Sequence, residues 1–358
     1  MEESNEETIL YSAFNYDNTS FCVGTNDGFQ IFNSYPLKCK KKTEIDGGIS
    51  IIDIINEKKE ENEKNILAFV GTGKNVRLLN KVILWDSIKS KVLCEIVSSN
   101  NIKNIKLKKT KLFIVTENNI NVFSRENTQG SYELIDKIQT CHNKNGIIGI
   151  SLDPKINMMA YLSEDIGKII IKNYDEKKNE SKIINAHQSE IIALVMNYDG
   201  SLIASSSEKG TIIKIFKTKD QTLLKELRRG SEPATIYSLA FDINSKYIAC
   251  SSNKGTIHIF HVKNDENEVQ NQKSIIGSMI SFIGIHNQYL CSEWSFAQYR
   301  LNYKGRSIVA FSPDNSPSVI VITADGKYYK GSFDPKSIKE CKTTEEKDLF
   351  SIDIKKDD

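Results

Sequence analysis

One short unit returns along this chain: an apolar strand, a polar turn rich in Ser, Thr, Asn, Asp and Gly, and a second apolar strand. Its clearest copies are "FCVGTNDGFQIF" (21–32), "LIASSSEKGTIIKIF" (202–216), "YIACSSNKGTIHIF" (247–260) and "VIVITADGKYYKGSF" (319–333). Fainter copies are "ILAFVGTGKNVRLLNKVILWDS" (66–87), "KLFIVTENNINVFS" (111–124) and "MMAYLSEDIGKIIIKNYD" (158–175), which makes seven. The second strands begin near Phe29, Val82, Ile120, Ile169, Ile212, Ile257 and Tyr328. Apart from the longer last interval, that is a spacing of roughly 40 to 50 residues, the size of a four-stranded propeller blade. Gly or Asn in each turn supplies the positive φ of a tight hairpin, and the flanking β-branched residues suit paired strands. Long helical periodicity is nearly absent, which removes doubly wound, barrel and bundle folds. The fold expected is all-β: a single WD-repeat-like, seven-bladed β-propeller over residues 1–358, with an insertion at 263–293 in the sixth blade.

Composition narrows the function. Hydrophobic residues make up 39% and charged residues 26%, enough apolar material for a large core. Lys and Arg total 48 against 46 acidic residues, so a net charge of +2 gives no global pull toward nucleic acid, which is not expected as a partner. The acidic start "MEESNEET" is no secretion signal, and no apolar run approaches the roughly 20 residues of a membrane span, so a cytoplasmic location is expected. Seven cysteines, at 22, 39, 94, 141, 250, 291 and 341, form no CxxC pairs; free thiols and no metal site are expected. No P-loop, GxSxG or HExxH occurs, so neither an enzyme nor a cofactor is expected.

The remaining signal is "KELRRGSEP" (225–233), where two arginines stand side by side. Neighbours in a strand point to opposite sides, so the pair cannot serve one pocket. The order of "SSSEKGTIIKIF", "ELRRG", "IYSLAFD" and "YIACSSNKGTIHIF", with "GTNDGFQIF" near the start and "NKVILWD" in the second unit, resembles the PROPPINs. These are WD-repeat-like propellers that bind polyphosphoinositides and act in autophagy. The resemblance runs from about Phe21 to Phe333 and is strongest from His187 to His258.

It implies two shallow rim sites for the headgroup of phosphatidylinositol 3-phosphate or the 3,5-bisphosphate. The first would use His187, Ser205, Ser207, Gly210, Thr211, Lys214 and Arg228. The second would use Arg229, Gly230, Ser251, Ser252, Thr256 and His258. Arginine is common in the family where Lys214 stands, and lysine keeps the charge but loses the fork. Gly230 is expected to relieve crowding at the turn, while Glu232 would repel phosphate if it faced the second site. Taken singly, turn hydroxyls usually satisfy local backbone, and His187 reads as a blade-internal hydrogen-bonding residue. His142, His261 and His286 match nothing in the pattern.

The sixth-unit insertion opens with the polar "KNDENEVQNQK" and continues "SIIGSMISFIGI", where Ile275, Ile276, Met279, Ile280 and Ile283 recur at helical spacing. Its position matches the family's membrane-inserting loop; the alternative is an extra blade strand. The resemblance implies peripheral association with autophagosomal, endosomal or vacuolar membranes, autophagy proteins as partners, and a lipid-transfer partner at the second unit. A protein-interaction scaffold indifferent to lipid is the competing reading.

Overall fold

Burial falls outward across each sheet. The second strands Ser20–Thr25 and Tyr247–Ser252 are buried at every residue, whereas the outer strands Ser131–Gln139 and Lys342–Asp348 are largely exposed. Such a gradient arises when sheets stack face to face around an axis, each middle strand being covered on both sides by neighbouring sheets. The computed structural model describes residues 8–59, 62–74, 78–126, 131–176, 181–263, 268–273 and 292–354. It is a seven-bladed β-propeller in which every blade contains four antiparallel strands in chain order. The seven hairpins of the repeat are the second and third strands of the blades. The third strands are Gly28–Asn33, Lys81–Asp86, Asn119–Glu126, Lys168–Asn173, Ile212–Lys217, Thr256–His261 and Lys327–Ser332.

The core lies between blades. Ile213 and Leu227 of blade five pack with Leu239, Ile248 and Phe260 of blade six, all buried; each such side chain contributes about 1.5–3 kcal/mol. The ring closes by packing, because the first and last blades each keep four consecutive strands of their own. Phe21 stacks on Tyr328 at 6.4 Å, and the Tyr328 hydroxyl donates to the Ser34 carbonyl at 2.9 Å.

The inner strands surround a cavity of about 530 Å³. Its buried charges are engaged internally: Asp53 accepts from the Leu107 amide at 2.7 Å, and Lys108 donates to the carbonyls of Ser151 and Asp153 at 2.5 and 2.8 Å. Burial lowers the Lys108 pKa to about 8.

Blade six departs from the simple repeat. Between its third strand, ending at His261, and its fourth, Ala297–Arg300, two short strands leave the blade and join the outer edge of blade five. Glu293–Trp294 pairs in parallel with the fourth strand of blade five, Leu223–Arg228, and Gln272–Lys273 pairs antiparallel with Glu293–Trp294. Asn271 clamps the base through its bonds to the His261 amide and carbonyl, both at 2.8 Å, and to Glu293 at 2.7 Å. Lys225 reaches Glu293 at 2.8 Å. The insertion is thus anchored on the neighbouring blade, a pairing between distant segments that no local sequence pattern announces. Ile275, Ile276, Met279, Ile280 and Ile283 lie outside the described residues.

Candidate functional site

Strand register assembles the first group. Directly opposed residues share a face, and alternate residues along a strand return to it. In blade five Ser205 opposes Lys214, which opposes Glu226. Ser207 and Arg228 fall on that same face by alternation, and Arg228 opposes Trp294 of the inserted strand. Ser206 turns to the other face, where its hydroxyl donates to the Ile212 carbonyl at 2.9 Å.

His187 follows the last strand of blade four, and its Nε2 shares a hydrogen bond with Ser205 Oγ at 3.0 Å. Burial, reinforced by the Lys214 charge, lowers its pKa to about 4, so the imidazole is neutral at pH 7. Lys214 forms an ion pair with Glu226 at 3.3 Å. Arg228 donates from Nε to Ser292 Oγ at 2.8 Å, and its guanidinium lies 5.8 Å from the Trp294 ring centre.

Gly210 has φ +60°, and a side-chain carbon there would lie 1.8 Å from the Ala234 carbonyl oxygen. Only glycine fits that turn. The Thr211 carbonyl next to it accepts from the Arg229 amide at 2.9 Å.

Arg229 diverges from its neighbour as strand alternation requires. Its Nε donates to the Gly210 carbonyl at 2.9 Å and Nη2 donates to the Glu232 carbonyl. Its charge acts on Cys250 and His258 of blade six. The Glu232 side chain pairs with Lys254 at 3.0 Å and is 77% exposed, and its charge still acts on Arg229. The expectation for Gly230 is corrected: nothing lies within 4 Å of the place a side chain would occupy, so crowding does not require glycine there.

In blade six Cys250 opposes His258, which opposes Gln298, while Thr256 opposes Arg300. Ser252 shares their face. Ser251 does not: its hydroxyl donates to the Ser307 carbonyl of blade seven at 2.9 Å, the same inward turn that Ser206 makes in blade five. His258 Nδ1 shares a hydrogen bond with Ser295 Oγ at 3.0 Å. Burial, with Arg229 and Arg300 adding repulsion, lowers its pKa to about 4. Both faces therefore hold a neutral histidine bonded to a serine hydroxyl, with the Lys214 charge acting on His187 and the Arg229 charge on His258.

The sequence reading missed Glu226, Ser292, Trp294, Ser295, Gln298 and Arg300. Glu226 was legible in principle, two residues before Arg228 on the same strand face. The others reach the site through the return of the insertion, which has no local signature.

The chain has known relatives. The family model described as PROPPIN matches residues 9–350. Autophagy-related protein 18e of Arabidopsis thaliana is 31% identical over 358 residues, covering 98% of this chain and 90% of that relative. Autophagy-related protein 18 of Dictyostelium discoideum is 27% identical, covering 96% and 94%. Among solved structures, Kluyveromyces lactis Hsv2 superposes with a TM-score of 0.75 at 20% identity, covering 96% of this chain and 100% of that one. A complex of KlAtg21 with the coiled-coil of AgAtg16 matches at a TM-score of 0.74 and 21% identity, covering 96% and 99%. With its fold in agreement and the family match spanning nearly every blade, the chain belongs to the PROPPIN family.

Proposed function

We propose that this protein is a phosphoinositide-binding peripheral membrane protein. It recognises phosphatidylinositol 3-phosphate and the 3,5-bisphosphate through two rim pockets flanking the Arg228–Arg229 pair, and brings autophagy or membrane-trafficking machinery to the membranes that carry them. The observation that carries the reading is the diverging arginine pair. Arg228 and Arg229 are 6% and 4% exposed, and arginine is seldom so buried without a use for its charge. Arg229 is held by two backbone carbonyls, which orient a guanidinium without neutralising it. Half-buried His187, Ser207, Thr211, Lys214 and Thr256 surround the pair with hydroxyl and cationic groups suited to phosphate oxygens.

The insertion supports the same reading. Lys273 and Ser292, which flank residues 274–291, sit at the blade-five edge beside Arg228. The segment 274–285, as an interfacial amphipathic wedge, would then enter the bilayer next to the first pocket. Two headgroups and one wedge on a rigid body gain from effective concentration, though each alone is weak. Among the described residues no helix is long and apolar enough to cross a membrane.

Autophagy proteins are the proposed partners, by likeness to the Atg21 relative solved with an Atg16 coiled-coil. The second blade offers the surface for a lipid-transfer partner, with exposed Leu78, Leu79 and Ile88.

The test is a vesicle panel carrying phosphatidylinositol, its 3-phosphate, its 4-phosphate or its 3,5-bisphosphate, with Arg228→Thr/Arg229→Thr compared by flotation. Binding confined to 3-phosphorylated vesicles and lost in a double variant with an unchanged circular dichroism spectrum is expected. Equal binding to all four vesicles, or full binding by the double variant, refutes the proposal in favour of a lipid-indifferent scaffold.

A further inference from the structure

The two pockets differ in the charges their central rows carry. In blade five the row Ser205, Lys214, Glu226 ends in a carboxylate that ion-pairs with Lys214 at 3.3 Å, both side chains being mostly buried at 21% and 12% exposure. In blade six the corresponding row Cys250, His258, Gln298 ends in a neutral amide. Two acids stand near the second pocket: Glu340 pairs with Arg300 at 2.6 Å where both are 65% exposed, and Glu232 pairs with Lys254 at 3.0 Å at 77% exposure, so water and salt screen both. A half-buried pair is screened far less, and a carboxylate in that setting is a real competitor for its cation.

Resting on the lipid reading above, we infer that Glu226 is a built-in counter-ion of the first pocket. It competes with the phosphomonoester of the headgroup for Lys214 and makes the first pocket the weaker of the two. An incoming phosphate must draw Lys214 away from Glu226 before it can use that charge. At the second pocket the acids, Glu232 and Glu340, are exposed and screened, so they oppose a headgroup less. Glu226 therefore sets the order of engagement: blade six takes a headgroup first, and the first pocket fills when membrane attachment has raised the local headgroup concentration.

The test isolates the first pocket by silencing the second with Thr256→Ala/His258→Ala, then measures binding to vesicles containing phosphatidylinositol 3-phosphate on a biosensor. In that background Glu226→Gln is expected to tighten binding about tenfold, the scale of removing one half-buried opposing charge. Lys214→Met is expected to abolish that gain, so that Lys214→Met and Lys214→Met/Glu226→Gln bind alike. Thermal melts check folding, and Glu226→Ala serves as an independent second variant. Unchanged or weaker binding by folded Glu226→Gln and Glu226→Ala overturns the inference, since the carboxylate would then be positioning Lys214. A gain that survives Lys214→Met overturns it as well. Failure of the unaltered protein to bind any 3-phosphorylated vesicle removes the lipid reading itself, and this inference with it.

Discussion

The buried imidazole of His258 makes folding stability depend on pH in a direction that can be worked out. Its pKa is lowered from the ordinary 6.5 to about 4 by burial and by the charges of Arg229 and Arg300. In the unfolded chain the ring takes up a proton near its ordinary value, whereas in the folded protein it resists. The associated stability is fully present above about pH 6.5 and is lost as the pH falls toward about 4. Within that window each proton taken up only by the unfolded state costs about 1.4 kcal/mol per pH unit, on the order of 3 kcal/mol in all. His258→Gln keeps a polar group near Ser295 and cannot titrate. The assay is urea unfolding of wild type and variant from about pH 7.5 to about pH 4.5, reading the difference in unfolding free energy, which cancels the titration of the carboxylates they share. Wild type is expected to lose stability relative to the variant as the pH drops. A flat difference, or one in which wild type gains on acidification, refutes the description of His258 as a buried neutral ring beside two guanidinium groups.

Other expectations follow from single contacts. Gly210→Ala meets both a left-handed backbone and the Ala234 carbonyl at 1.8 Å; a loss of about 2 kcal/mol or more is expected in denaturant unfolding. Because the Thr211 carbonyl beside Gly210 accepts from the Arg229 amide, amide exchange at Arg229 should quicken in the same variant. Asn271→Ala removes the three bonds that tie the insertion to blade six and Glu293. It is expected to cost about 1–3 kcal/mol and to raise hydrogen exchange at Gln272 and Lys273. Glu232→Ala breaks an exposed pair with Lys254, so unfolding free energy should change by less than about 1 kcal/mol.

The repeat was legible because its cause is local. Alternating apolar residues and glycine turns specify hairpins within about a dozen residues, and seven such hairpins at blade spacing leave few architectures. The direction of the arginine pair was legible for the same reason, being a property of any strand. Ser251 shows where this ends. Adjacent serines look equivalent in a string of letters, yet pairing register sends Ser252 to the face of Thr256 and His258 and sends Ser251 inward to Ser307. Gly230 shows the converse: the expected crowding depended on neighbours the local sequence does not contain.

The sequence by itself determined the blade hairpins, their number and the divergence of Arg228 from Arg229, because each rests on the period of a strand and the chemistry of its turns. Only the tertiary structure decided what those arginines meet. The insertion leaves blade six, adds two strands to blade five and delivers Ser292 and Trp294 to Arg228, then Ser295 to His258. Those partners lie 37 to 64 positions away in the chain for their hydrogen bonds. They come together because a sheet edge must pair its open backbone groups with whatever strand the fold brings alongside.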